Sequence, residues 1–138
     1  MKLRVMIADD HTIFRGALRM VLEADAETDV VAEAADGEEA VQLAATTQPD
    51  VVCMDINMPR MNGIEATRQL LAAQPGVKVI GLSAYTDLHF VQEMVDAGAV
   101  GFVTKGEAGD SLMFAIRRVM AGETYFCTEV AEILAGQS

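Results

Sequence analysis

The strongest constraint on this chain is a series of five short apolar, β-branched runs, each separated from the next by a stretch with helical spacing. The runs cover residues 3–8, 30–32, 51–54, 77–82 and 99–103. They are apolar almost throughout rather than alternating, as expected for strands that are buried on both faces of a sheet. Strands that alternate with helices form βαβ units. The pattern therefore predicts an α/β fold, a doubly wound five-stranded parallel sheet with five helices plus a short C-terminal helix.

The helical stretches carry start signals of their own. Asp36 and Asn62 stand where the second and third helices should begin, and Asp87 is placed to cap the fourth. Asp110 or Ser111 is predicted to open the last long helix. No linker or internal repeat divides the chain, so one domain is expected.

Composition narrows the functional class. The 138 residues include 21 acidic and 10 basic side chains, which gives a net charge of -11. This charge argues against direct binding of a nucleic-acid backbone by this chain. No apolar run approaches the roughly 18 residues of a membrane span, and the N-terminus lacks the features of a secretory signal. Cys53 and Cys127 are too few for a disulfide framework and lack metal-site spacing. A cytoplasmic protein without a membrane partner is expected.

Polar side chains follow four of the five predicted strands. Asp9 and Asp10 follow the first, Asp55 and Asn57 the third, Ser83 the fourth, and Thr104 and Lys105 the fifth. In doubly wound sheets, ligands bind beyond the carboxyl ends of the strands. We therefore expect three carboxylates, a hydroxyl and a lysine to meet at one edge of the sheet.

These groups suit phosphoryl chemistry. Three carboxylates in one pocket repel one another unless the pKa of one of them rises or a cation binds. Mg²⁺ binds carboxylates together with phosphate oxygens. The pattern predicts a site in which Asp55 attacks phosphorus and Lys105 and Ser83 bind the resulting phosphoryl group. His11 and His89 have no partners at ligand spacing and are expected to be surface or capping residues.

Four segments, in order and spacing, resemble the motifs of bacterial response-regulator receiver domains. They read "IADDH", "PDVVCMDINMPRMNGIEA", "LSAYTD" and "GAVGFVTKG". Within that family, "ADDHTIFRGAL" and "AIRRVMAGETYF" are most similar to the NarL/FixJ (LuxR-type) transcriptional regulators. The resemblance covers nearly the whole chain and implies a flavodoxin-like receiver fold with strand order 2-1-3-4-5.

The resemblance also implies a role for each site residue. Asp55 would be the phosphoacceptor. Mg²⁺ or Mn²⁺ would be bound by Asp10, Asp55 and the backbone carbonyl of Asn57, with Asp9 acting through water. The phosphoryl group would be contacted by Lys105, Ser83 and the backbone N–H of Ala84. Ser83 and Phe102 would form the switch, in which the hydroxyl moves toward the phosphate and the ring turns inward.

Two positions depart from the family pattern. Many receivers have proline after the lysine, whereas Gly106 follows Lys105 here. The switch aromatic is Phe102 rather than the common tyrosine, so it has no hydroxyl to offer a partner.

The resemblance predicts a phosphorylation-gated switch rather than an enzyme acting on other molecules. A sensor histidine kinase would phosphorylate Asp55, and the receiver would catalyse only its own phosphorylation and dephosphorylation. Phosphorylation would favour a homodimer through a surface near the fourth helix, fifth strand and fifth helix. Residues 1–122 would form the receiver, and residues 123–138 a C-terminal extension or the start of a linker helix. DNA would be bound only by an output domain that is absent from this chain.

Three other readings stay open at this stage. The chain could be a free-standing receiver that acts by protein–protein contact, or a structural module with a dead site. It could also be a phosphatase of the haloacid-dehalogenase type, which uses a strand-end aspartate in a D-x-D pattern. In that pattern the second acid protonates the leaving group, and Asn57 has no proton to give.

Overall fold

The alternation predicted from the sequence is present in a computed structural model, which describes residues 2–84 and 88–136. The order of elements along the chain is β1 Leu3–Ala8, α1 Thr12–Glu23, β2 Thr28–Ala34, α2 Gly37–Thr47, β3 Val51–Asp55, α3 Gly63–Ala73, β4 Lys78–Ser83, α4 Leu88–Asp96, β5 Gly101–Thr104, α5 Lys105–Met120, β6 Tyr125–Phe126 and α6 Thr128–Ala135. Asp36 and Asn62 cap α2 and α3 as predicted. Asp87 lies outside the described residues.

The sheet has six strands rather than the five predicted, in the order β2-β1-β3-β4-β5-β6. All of its strand pairs are parallel. The order 2-1-3-4-5 is therefore confirmed, and the correction is an additional edge strand of two residues. In that strand Phe126 lies opposite Phe102, and the N–H of Cys127 donates to the carbonyl of Phe102 at 3.3 Å.

Two apolar cores cover the two faces of the sheet, because successive strand residues point to opposite sides. In β1, Val5 and Ile7 face the core formed with α1 and α5, whereas Met6 and Ala8 face the core formed with α2, α3 and α4. Both cores are almost free of solvent. The paired layers hold the carboxyl ends of the central strands at one rigid edge.

The C-terminal segment packs on the domain. The side chain of Val130 in α6 is fully buried in the same core as Met94 of α4, and α6 contacts α4. Part of the predicted self-association surface, near α4 and β5, is therefore covered by residues 125–135 of this chain.

The last long helix begins five or six residues before the predicted start. It opens at Lys105 instead of at Asp110 or Ser111. The Glu107 carboxylate accepts the N–H of Thr104 at 3.2 Å, which satisfies one of the free donors at the helix start. Gly106 therefore lies in the first turn of α5, and no cis peptide bond occurs in the described part of the chain.

Candidate functional site

Asp9 lies at the end of β1 and is fully buried. Its Oδ1 accepts the backbone N–H of His11 at 2.7 Å, which shapes the turn into α1. The guanidinium of Arg15, one turn into that helix, donates to the carbonyl oxygen of Asp9 and also pairs with Glu33. The turn thus fixes the first acid from both its side chain and its backbone, while the neighbouring Asp10 is partly exposed.

Asp55 is the last residue of β3 and is only 2% exposed. The backbone N–H of Asn57 donates to its Oδ1 at 3.3 Å. The chain turns back directly behind it, since the N–H of Gly63 donates to the carbonyl of Ile56 at 2.8 Å. A Cβ atom at Gly63 would lie 2.0 Å from the carbonyl oxygen of Asp55, so this turn needs glycine.

Lys105 joins the two buried carboxylates. Its Nζ lies 2.8 Å from Asp9 Oδ2 and 3.2 Å from Asp55 Oδ2. The same ammonium lies 3.0 Å from Nδ1 of His11 and 4.9 Å from the centre of the Phe14 ring. The early start of α5 sets this position, because Lys105 is the first residue of the helix and directly follows β5.

The ionisation of Asp55 is perturbed by these surroundings. Burial and, after it, the Asp9 carboxylate raise its pKa to about 6, against the opposing effect of Lys105. At neutral pH most of the Asp55 side chains still carry a charge. A buried carboxylate that shares its surroundings with another acid is well suited to bind a cation or to accept a group that changes its charge.

Ser83 and Ala84 close the site on the β4 side. Asp55 lies opposite Leu82 in the β3–β4 pairing, so Ser83 comes one residue beyond Asp55, opposite Thr104. Ser83 is buried and Ala84 is exposed. The strand register thus brings the predicted hydroxyl to the same edge as the acids and the lysine.

Phe102 does not lie near the surface. The resemblance implies that its ring turns inward on phosphorylation, and in this structure the ring is fully buried. The ring lies over Gly81 and close to Met94, where a Cβ atom on Gly81 would be only 2.9 Å from Phe102 Cδ2. A phenyl ring can stay in this apolar position because it has no hydroxyl that needs a partner.

His11 is a site residue that the sequence analysis missed. It stands at the N-cap of α1, as expected of a capping residue, but it is not without partners. Its Nδ1 lies 3.3 Å from Asp9 Oδ1 and 3.5 Å from Asp10 Oδ1. Its contact with Lys105 spans 94 positions of sequence, and the neighbouring "DD" was the only available signal.

Comparison with known proteins agrees with this geometry. The model of the response regulator receiver domain family matches residues 5–117. The chain belongs to the response regulator receiver family. It is 41% identical over 133 residues to the transcriptional regulatory protein DegU of Brevibacillus brevis, covering 96% of this chain and 56% of that protein. It is 38% identical to the response regulator GacA of Pseudomonas aeruginosa, covering 99% of this chain and 64% of GacA.

Solved structures show the same fold. The crystal structure of a LuxR-family two-component response regulator from Aurantimonas sp. SI85-9A1 superposes with a TM-score of 0.93 at 34% identity. The match covers 99% of this receiver and 98% of that chain, so it extends beyond β5 and α5. The prediction of a receiver domain of the NarL/LuxR type is confirmed, and a haloacid-dehalogenase phosphatase is excluded as the family.

The donor atoms of this receiver fit a divalent cation. One ligand atom each from Asp9, Asp10, His11 and Asp55 lies within 4.8 Å of all the others. Carboxylate oxygens are the ligands that Mg²⁺ and Mn²⁺ prefer, and two of these four residues are open to solvent. Receivers bind Mg²⁺ at such an acidic pocket. The helices within the described ranges include none with the length and apolarity needed to cross a bilayer.

Proposed function

We propose that Asp55 accepts a phosphoryl group from a sensor histidine kinase. Phosphorylation then changes the conformation of the receiver surface that binds a partner. The observation that carries the proposal is the ammonium of Lys105, which lies 3.2 Å from Asp55 Oδ2 and 2.8 Å from Asp9 Oδ2. A buried nucleophilic carboxylate, a second acid and a fixed positive charge together match what phosphoryl transfer to aspartate requires.

Transfer begins with attack of the Asp55 carboxylate on the phosphorus of a phosphohistidine. A P–O bond forms as the P–N bond breaks, and the imidazole of the kinase leaves. Lys105 is placed to neutralise one phosphoryl oxygen, because its Nζ already lies at hydrogen-bond distance from Asp55. Ser83 and the backbone N–H of Ala84 are proposed to donate to the other oxygens, since both follow β4 at this edge.

We propose that the site binds one divalent ion, Mg²⁺ or Mn²⁺. Its ligands would be Asp10, Asp55 and the carbonyl of Asn57, with Asp9 acting through water. When bound, it offsets negative charge on the acids and on the incoming phosphoryl group. The turn that supports these ligands is rigid, because Asp9 is fixed by His11 and Arg15. The receiver acts catalytically only on itself, in phosphorylation and dephosphorylation.

The conformational output is proposed to involve Ser83 and Phe102. Phosphorylation adds charge and acceptor oxygens beside Ser83, which biases β4 and the neighbouring β5. Phe102 is paired through its backbone with Phe126, so a change at β5 reaches β6 and α6 directly. Homodimerisation is proposed to follow. Residues 125–135 would either form part of the dimer surface or move away to expose it.

The receiver proper is proposed to cover residues 1–122, and residues 123–138 to begin the connection to a DNA-binding output domain outside this chain. Support comes from the curated relatives, because this chain spans 56% of DegU and 64% of GacA. The packing of α6 on α4 would give such a connection a fixed starting point. A cytoplasmic location is proposed from the same role. The reading frame beyond Ser138 would decide between this arrangement and a free-standing receiver.

The phosphorylation proposal is tested by incubating the protein with acetyl phosphate and Mg²⁺ and measuring intact mass. We expect one phosphoryl group, lost in Asp55→Asn and when the metal is chelated. Asp29→Asn is the matched control, because Asp29 is an exposed strand acid distant in sequence from the site motifs. Unchanged modification in Asp55→Asn would refute the assignment of the phosphoacceptor.

A further inference from the structure

His11 is the one nitrogen donor in the cluster of four potential ligand residues. Its imidazole is 67% exposed, so it stands at the mouth of the site, above the buried Asp9 and beside Asp10. The backbone N–H of the same residue is tied to Asp9 Oδ1, which fixes where the side chain starts. Its position is therefore set by the same turn that sets the acids.

Nδ1 of His11 faces the site, and Lys105 Nζ lies 3.0 Å from it. The same ammonium is in contact with Asp9 Oδ2 and Asp55 Oδ2. Three side-chain atoms therefore surround the ammonium of Lys105: they belong to Asp9 directly after β1, to His11 in the following turn and to Asp55 at the end of β3.

The distances from His11 Nδ1 to carboxylate oxygens of Asp9 and Asp10 match those between two ligand atoms of one metal ion. Two ligand atoms that each lie about 2.1 Å from one tetrahedral ion are about 3.4 Å apart. His11 Nδ1 lies 3.3 Å from Asp9 Oδ1 and 3.5 Å from Asp10 Oδ1.

We propose that His11 is an additional metal ligand that makes this receiver discriminate among divalent ions. Imidazole nitrogen binds Co²⁺, Ni²⁺ and Zn²⁺ well, whereas Mg²⁺ prefers oxygen ligands. A site of carboxylates with one imidazole therefore binds these transition ions more tightly, relative to Mg²⁺, than the same site with oxygen ligands alone. The inference rests on the proposed function, because it assumes that the acids around Asp55 bind the metal of the phosphorylation site.

Lys105 and a divalent ion would compete for the same nitrogen. Nζ of Lys105 lies 3.0 Å from His11 Nδ1. An ion bound at His11 would replace this contact, and Lys105 would keep its contact with Asp55. A transition ion would thus be held by a residue that takes no other part in the proposed transfer.

The test is equilibrium binding of Mg²⁺ and Co²⁺ to the untagged full chain by calorimetry, with His11→Asn and Asp10→Asn as matched variants. Asparagine places an oxygen or amide near the position of Nδ1, so His11→Asn removes the nitrogen ligand with little loss of polarity. We expect His11→Asn to weaken Co²⁺ binding about tenfold and to change Mg²⁺ binding by less than about threefold. Asp10→Asn should weaken both ions. The visible absorption of bound Co²⁺ should also change in His11→Asn, a signature that altered stability alone would not produce.

The outcomes separate the two proposals. Equal effects of His11→Asn on both ions, or no effect on either, would overturn the role of His11. If Mg²⁺ binds and depends on Asp10, the proposed phosphorylation site stands even when the His11 inference fails. If neither ion binds the unaltered protein, both proposals are wrong.

Discussion

The ring of Phe102 lies directly over Gly81, on the neighbouring strand β4. A Cβ atom on Gly81 would lie 2.9 Å and 3.1 Å from Cδ2 and Cε2 of the ring, and 3.1 Å from Cε of Met94. The absence of a side chain at position 81 is what leaves room for the inward ring. In this receiver, the glycine on strand β4 is thus one determinant of where the Phe102 ring lies.

Gly81→Ala should therefore push the ring of Phe102 away from its buried position. The added methyl overpacks the core, and we expect the free energy of unfolding to fall by about 1–3 kcal/mol. The measurement is urea denaturation together with the ring proton shifts of Phe102 in NMR spectra. Gly76→Ala is the control, because a Cβ atom there meets nothing within 4 Å. An unchanged ring environment in Gly81→Ala would contradict this account.

Asp55→Asn should stabilise the metal-free protein at neutral pH. Burial, followed by Asp9, raises the pKa of Asp55 to about 6, above its usual value of 3.8. Between these values the folded state binds the proton more tightly than the unfolded state, so stability is lost as pH rises toward and through 6. Removing the charge should raise the free energy of unfolding by roughly 2–3 kcal/mol at pH 7, and the gain should fade toward pH 4.

The measurement is urea denaturation of both proteins at pH 4, 5.5 and 7 in the presence of a chelator. Lys105 keeps Asp9 as a partner in the variant, so a second buried charge is not left alone. Asp29→Asn should show no such pH-dependent gain, because Asp29 is exposed. A stability difference that does not vary with pH would show that the ionisation of Asp55 is not its cause.

Sequence patterns predicted the features that local chemistry determines. The apolar run ending in Asp55 marked a buried strand with a carboxylate at its end, and the caps Asp36 and Asn62 marked helix starts. The start of α5 was wrong because Gly106 and Gly109 are poor helix formers, and their presence favours a loop. Packing against β5 and the Glu107 contact outweigh that preference.

Features that depend on long-range contacts were not predictable in the same way. The strand Tyr125–Phe126 has only two residues, which is too short to show a period, and it is defined by pairing with β5. The long-range contact of His11 is with Lys105, whose position follows from the sheet order. The buried ring of Phe102 depends on Gly81, which reads in sequence only as a small residue within a strand.

Gly63→Ala should disturb the turn behind Asp55, the proposed phosphoacceptor. A Cβ atom at Gly63 would lie 2.0 Å from the carbonyl oxygen of Asp55, and that oxygen belongs to the backbone and cannot rotate away. We expect a loss of about 2–3 kcal/mol or more in the free energy of unfolding, together with slower phosphorylation by acetyl phosphate. Gly16→Ala is a matched control, because Gly16 lies in α1 with nothing within 4 Å of a Cβ atom. That variant should be more stable than the original by about 0.5–1 kcal/mol. Equal stability of the two variants would contradict the predicted clash.

Arg60 ties the loop after Asp55 to the start of α2. Its backbone has φ +66°, a left-handed conformation that is unfavourable for any residue except glycine. Its Nε and terminal nitrogen lie 2.9 Å and 2.7 Å from Asp36 Oδ2. The N–H of Glu39 and the ion pair with Arg60 together lower the pKa of Asp36. The ion pair therefore stabilises the fold at neutral pH, and this contribution is lost as pH falls through the lowered pKa.

Replacing Arg60 separates these two effects. Arg60→Ala loses the ion pair and keeps the unfavourable backbone angle, whereas Arg60→Gly loses the ion pair and removes the backbone cost. We therefore expect Arg60→Gly to be more stable than Arg60→Ala by about 1 kcal/mol, measured by urea denaturation at pH 7. In both variants the pKa of Asp36, followed by NMR, should rise toward its usual value while staying below it, because the N–H of Glu39 is still donated. If Arg60→Ala proved as stable as Arg60→Gly, the left-handed angle at this position would carry no cost in the folded protein.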